Sequence, residues 1–101
     1  MFKLVVDEKS GKKIVLTDER YEHICARHPE LKDNLSKVKK TLEDPDCIVE
    51  NALNPSVHLY HRQDKSLGGY VVVITEMQKN FIITSYVSLT VKRGKLLWEK
   101  Q

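Results

Sequence analysis

Cysteine is scarce in this chain. Its 101 residues include two, Cys25 and Cys47, and neither has a partner at C-x-x-C spacing. A disulfide scaffold and a cysteine-based zinc site are thereby excluded, and both thiols are expected to be reduced and to pack as small hydrophobes. Glycine and proline are equally sparse, at four and three residues. No Pro/Gly-rich linker divides the chain, so residues 1–101 read as one domain, and neither a P-loop nor a dinucleotide fingerprint is present. Long apolar runs are missing too. The stretch at 4–6 is too short for a secretory segment, and nothing approaches the roughly 18 residues of a membrane span. The expected location is the cytoplasm, away from membranes.

What the chain does have is 41% hydrophobic residues spread along its length and a mild net charge of +3. That composition excludes disorder and is enough for one core. The basic residues gather in two modest groups, Lys37, Lys39 and Lys40, then Lys92, Arg93 and Lys95. Solvated faces explain such groups as readily as nucleic-acid binding does, so charge alone names no partner.

The periodicity divides the chain into an opening hairpin, two helices and a run of strands. Residues 2–6 and 14–16 flank the turn Ser10-Gly11-Lys12. Thr17 is a good N-cap followed by Asp18 and Glu19, which the helix dipole favours in a first turn. This helix is expected to stop near Arg27 or His28, because Pro29 disfavours helical geometry in the residue before it. A second helix is expected from Pro29 or Glu30 to Leu42, with Leu31, Leu35, Val38 and Leu42 as one apolar stripe. Strands follow at 47–49, 57–62, 70–75, 81–87 and 96–99, the β-branched stretch 70–75 being the best candidate for a central one. The predicted fold is α+β. Two N-terminal helices pack on one face of a mostly antiparallel four- to five-stranded sheet, with the short hairpin ahead of them.

Chemistry-bearing residues concentrate in three places. On the first helix, Tyr21, Ile24, Cys25 and His28 share the apolar stripe, while Arg20, His23 and Arg27 form a cationic flank beside it. In the strand at 57–62, Val57, Leu59 and His61 alternate with His58, Tyr60 and Arg62. With the apolar set toward the helices, the other face presents an imidazole, a phenol and a guanidinium, a set suited to a phosphodiester. A merely solvated polar face is the alternative. The strand at 81–87 ends in Thr84, Ser85 and Tyr86, hydroxyls that either satisfy local backbone or hold a phosphate. A metal site is not expected. His23 and His28 are about 140° apart on a helix, His58 and His61 point to opposite faces of a strand, and no H-E-x-x-H occurs.

The segment Thr17-Asp18-Glu19-Arg20-Tyr21-Glu22-His23-Ile24, continuing to Arg27-His28-Pro29-Glu30-Leu31, resembles phage-associated domains of the barnase–EndoU–colicin–RelE-like (BECR-fold) nuclease group. So do Leu42-Glu43-Asp44-Pro45-Asp46, Leu59-Tyr60 with Arg62, the apolar run at 70–74, and Ile83-Thr84-Ser85-Tyr86. The likeness extends from about Ile14 to Trp98. It implies a cofactor-free, metal-independent ribonuclease with RNA as partner and a cognate inhibitor protein to restrain it. By motif it favours His23, Arg27, His28, Arg62, Thr84 and Tyr86 as catalytic residues, with His58, Tyr60, Ser85 and Lys92 as substrate contacts. Two other readings stand beside it. One is an RNA-binding module without catalysis. The other is an interaction or dimerisation domain of a mobile element, which would use the edge strand bearing Leu96, Leu97 and Trp98.

Overall fold

The computed structural model of the chain describes all 101 residues. Its elements are β1 (Phe2–Asp7), β2 (Lys13–Thr17), α1 (Asp18–Arg27), α2 (Leu35–Glu43), β3 (Cys47–Glu50), β4 (Val57–Asp64), β5 (Gly69–Glu76), β6 (Phe81–Ser88) and β7 (Lys95–Glu99). A 3-10 turn at Pro29–Leu31 precedes α2. All seven strands join one sheet in the order β1-β2-β6-β5-β4-β3-β7. Neighbours pair antiparallel except β2 and β6, which run parallel through the single register pair Val15↔Phe81. No helix is long and apolar enough to cross a membrane.

The class is α+β, but the expected four- to five-stranded antiparallel sheet is corrected to a seven-stranded mixed one. The hairpin does not stand apart from the sheet. The Val15 N–H donates to the Asn80 carbonyl at 3.0 Å and stitches β2 to β6. At the opposite edge β7 pairs with β3, nearly fifty residues earlier in the chain. Both junctions unite segments remote in sequence, which no local periodicity reports.

Apolar layers flank the sheet on both faces. On one, Ile24, Leu31, Val38 and Leu42 from the helical segments pack on Tyr60, Val71, Val73 and Ile82. On the other, Val49, Leu59 and Val72 form a smaller layer with Tyr70, Ile74 and Tyr86 at its margin. The central β5 contributes to both, and Val71, Val72 and Val73 are buried. Thr17 caps α1 by accepting the Arg20 N–H at 3.2 Å. Such a cap stabilises a helix by about 1 kcal/mol.

The second helix departs from expectation. Its stripe is right, since Leu31, Val38 and Leu42 are buried, but the backbone breaks between Leu31 and Leu35. Asp33 adopts φ 67° there, a left-handed conformation that Asp and Asn tolerate better than most residues. Asn34 Nδ2 donates to the Glu30 carbonyl at 2.7 Å and closes the turn. The result is a 3-10 turn and a shorter α2 in place of one continuous helix.

Residues 89–94 carry the chain from β6 to β7 across four strand spacings, or about 19 Å at ~4.8 Å each. From Ser88 to Lys95 the chain takes seven Cα steps, at most roughly 23–25 Å, so this crossover has only a few ångströms to spare. It lies on the face away from the helices. Lys92 N–H donates to His61 Nε2 at 3.0 Å. Gly94, at φ 151°, passes so near β3 that a Cβ would lie 2.3 Å from the Glu50 carbonyl oxygen.

Candidate functional site

The switch at Thr17 builds the site. β2 ends two residues beyond its bridge to β6, and the chain turns into α1. The rest of the β6 edge is therefore flanked by α1 and the following 3-10 turn instead of a strand. Between them opens a hollow of about 520 Å3, lined by Arg20, His23, Ile24, Arg27 and His28 on one side and Ile83, Thr84 and Tyr86 on the other. The helical members recur at three- and four-residue intervals, which aligns them on the face toward β6. None of the eight lining residues is acidic, and two guanidiniums and two imidazoles face the same space, with carboxylates only at its borders, Glu30 beside His28 and Glu19 near Arg20 and His23.

β6 is shaped for this edge by a β-bulge. Its register with β5 passes from Thr75↔Ile82 directly to Ile74↔Thr84, leaving Ile83 as the extra residue. A bulge bends a strand and re-aims the side chains after it, here Thr84 and Tyr86. His28 ends α1, with its N–H donating to the Ile24 carbonyl at 2.7 Å. Its ring lies 5.5 Å from that of Tyr86, centroid to centroid. Glu30 Oε2 stands 3.8 Å from His28 Nδ1, too long for a hydrogen bond but close enough to attract an imidazolium. Nε2 is then the nitrogen left for chemistry. Burial pushes the Tyr86 phenol up, so it stays protonated at neutral pH and can donate but not act as a base.

Five of the six expected catalytic residues thus share one hollow: His23, Arg27, His28, Thr84 and Tyr86. Arg62 is not among them. Its guanidinium reaches the C-terminal end of α2, where Nη1 donates to the Asp44 carbonyl at 2.7 Å and to Asp44 Oδ2 at 3.1 Å. It borders a separate hollow with Lys37, Lys40 and Asp64, in which Lys37 Nζ sits 2.7 Å from Asp64 Oδ2. That lysine, with the Ser66 hydroxyl, brings the Asp64 carboxyl down to about 2. Arg62 thus ties β4 to the C-cap of α2, and Lys37 ties α2 to Asp64 and Ser66 at the β4–β5 turn.

The expected substrate contacts on β4 are corrected more sharply, because the faces of that strand are exchanged. Tyr60 points into the helix-side core, 1% exposed, and its hydroxyl donates to Glu8 Oε2 at 2.7 Å. It cannot stack on a base. Leu59 lies on the opposite layer, and His61 is wholly buried. An alternating strand with an amphipathic residue at each step reads equally well either way round. His58 is half-buried, in register with Glu50 and Thr75, and borders none of the hollows. Ser85 is also buried, its hydroxyl donating to the Val72 carbonyl at 2.7 Å, so it serves the backbone. Lys92 lies beyond Tyr86, with Nζ 5.6 Å from that ring. Trp98, expected as an exposed edge residue, is half-buried beneath Lys9, whose Nζ lies 4.0 Å from the ring centroid.

Arg20, Ile83 and Glu30 belong to the site without having been singled out for it. Arg20 was legible as a member of the same helical flank, three residues before His23. Glu30 and Ile83 stood within the segments that carry the family resemblance, but no spacing or periodicity assigned either a place in the site. No three or more His, Cys, Asp or Glu side chains converge as a metal-binding group. No protein-family model, curated protein or solved structure matches the chain.

Proposed function

We propose that this domain is a small endoribonuclease that cleaves RNA by attack of the 2′-OH on the adjacent phosphorus, with no metal ion taking part. The observation that carries the reading is the hollow beside α1, lined by two histidines, two arginines, a threonine and a protonated tyrosine, with the Glu30 carboxylate 3.8 Å from His28. The resemblance of the same residues to the BECR-fold nuclease group points the same way.

The chemistry divides as follows. One histidine of the pair His23 and His28 takes the 2′-OH proton as the oxygen attacks. The other protonates the departing 5′-oxygen, which leaves a 2′,3′-cyclic phosphate. Arg20 and Arg27 hold the non-bridging oxygens as negative charge builds on the phosphorane, and the Thr84 hydroxyl donates to the same group. Arg20 takes the place of Arg62, whose guanidinium is engaged by Asp44. Tyr86 offers its ring face to a base and its hydroxyl as a donor.

The test is incubation of end-labelled structured RNA with the protein in EDTA, beside a His23→Ala/His28→Ala double variant. Wild-type cleavage should leave 2′,3′-cyclic phosphate ends, and the double variant should be slower by at least ~10²-fold, the usual minimum for one lost acid or base. Equal cleavage by both proteins sinks the assignment. Binding of RNA with no cleavage by the wild type makes the domain an RNA-binding module.

A further inference from the structure

A second hollow adjoins the first, and Tyr86 borders both. It measures about 540 Å3 and lies on the face of the sheet away from the helices. Leu59 and Ile74, from neighbouring strands, supply apolar side chains to it, and Thr90, Val91, Lys92 and Arg93 of the crossover border it with Asn51. Here too no lining residue is acidic. The crossover is not a loose flap, because its Lys92 N–H is anchored on buried His61 at 3.0 Å. Lys92 Nζ lies over the Tyr86 ring, 5.6 Å from its centroid, so a base entering along this wall meets the ammonium as well as the ring. Asn51 has a fixed orientation. Its Oδ1 accepts the N–H groups of Leu53 at 2.8 Å and Asn54 at 3.1 Å, which leaves the amide NH2 as a donor for a base carbonyl or ring nitrogen.

Apolar side chains, an aromatic wall, a pre-set amide donor and two cations are what one nucleotide of a single strand asks for. Stacking is sequence-tolerant, and the cations follow the backbone. We propose that this hollow is a second nucleotide subsite for single-stranded RNA. In it the first nucleotide beyond the two that flank the cleaved linkage lays its base against Leu59, Ile74 and Tyr86, and Lys92 and Arg93 hold its phosphate. The proposal rests on the ribonuclease reading of the first hollow and extends it to a substrate class, an unpaired strand that continues past Tyr86. Duplex RNA does not fit, because its bases cannot turn toward Tyr86 while paired.

The experiment measures binding of 2′-O-methyl oligonucleotides, which lack the attacking hydroxyl, by fluorescence anisotropy. Single strands of two and four nucleotides and a duplex are compared, with wild type and a Lys92→Ala/Arg93→Ala variant. This variant keeps the backbone N–H that His61 accepts, and thermal melting verifies its fold. Wild type should bind four nucleotides at least tenfold more tightly than two, and more tightly than the duplex. In the variant that gain should disappear, and the slope of log K against log salt should fall by about 0.7 for each phosphate left without its cation. If wild type binds the dinucleotide but gains less than threefold at four, or binds the duplex equally well, the second subsite is refuted while the first hollow stands. If the variant keeps the full gain, the added nucleotides bind elsewhere and the subsite is likewise refuted. Failure of wild type to bind either single strand overturns both readings together.

Discussion

Glu8 sits at 4% exposure near the turn of the opening hairpin, where an unpaired carboxylate would be costly. Burial alone would raise its carboxyl. The Ser10 hydroxyl, Tyr60 hydroxyl and backbone N–H groups of Lys12 and Ser10 outweigh that and hold it below the ordinary range. The Tyr60 hydroxyl donates at 2.7 Å across 52 positions of sequence, pinning the hairpin to β4. Tyr60→Phe should therefore lower stability by about 2 kcal/mol, the usual worth of a hydrogen bond to a charged group. For a domain of this size that is a fall in Tm of roughly 8–16 °C. The proposed RNA cleavage should be unaffected at a temperature where the variant stays folded. Thermal melting beside a cleavage assay checks both, and a loss of cleavage with unchanged melting would return Tyr60 to the site. Period two along β4 identifies Tyr60 as opposite Leu59, but nothing in it says which of the two faces the helices. A buried partner such as Glu8 decides that, and Glu8 lies outside β4, at the opening hairpin.

Among the elements, α1 was the most legible. Its cap at Thr17 and its flank of Arg20, His23 and Arg27 follow from spacings of three or four residues, and its end at Arg27 from Pro29 close behind, distances over which local sterics and hydrogen bonds act. The second helix was half legible, because an apolar stripe survives a broken backbone. The crossover at 89–94 was not legible at all. Gly94 there shows no motif, yet its φ of 151° and its approach to the Glu50 carbonyl admit no side chain. Gly94→Ala should cost about 2–5 kcal/mol, from the disallowed backbone together with the clash. Because the crossover tethers β7, amide hydrogen exchange should quicken along Lys95–Glu99 before it does in β5. Unchanged exchange in β7 would mean that the strand is held by β3 alone. The exposed β7 edge also carries a bulge at Leu97, a device that discourages strand-to-strand association.

At the scale of the whole molecule, stability should depend on pH through His61. Burial, together with the nearby Lys92 charge, lowers its pKa from the ordinary 6.5, and its Nε2 must stay unprotonated to accept the Lys92 N–H. The unfolded chain thus takes up the proton first as pH falls. His61 contributes stability that is fully present above about pH 6.5 and is lost as the pH drops below it. Thermal unfolding between pH 7.5 and 5 should show this decline. His61→Gln, whose amide oxygen can still accept the Lys92 N–H, should flatten it. Equal slopes in the two proteins would remove His61 from the explanation. From sequence alone the chain could be read as α+β, with a capped first helix, a stripe of cations along it and a central β-branched strand, because each rests on neighbours a few residues apart. Only the tertiary structure decided that the hairpin and β7 complete a seven-stranded mixed sheet, that the α1 cations meet the bulged edge of β6, and that Arg62, Tyr60 and Ser85 are turned to structural duties. Those outcomes depend on contacts between segments far apart in the chain, where competition for burial and hydrogen bonds outweighs any local preference.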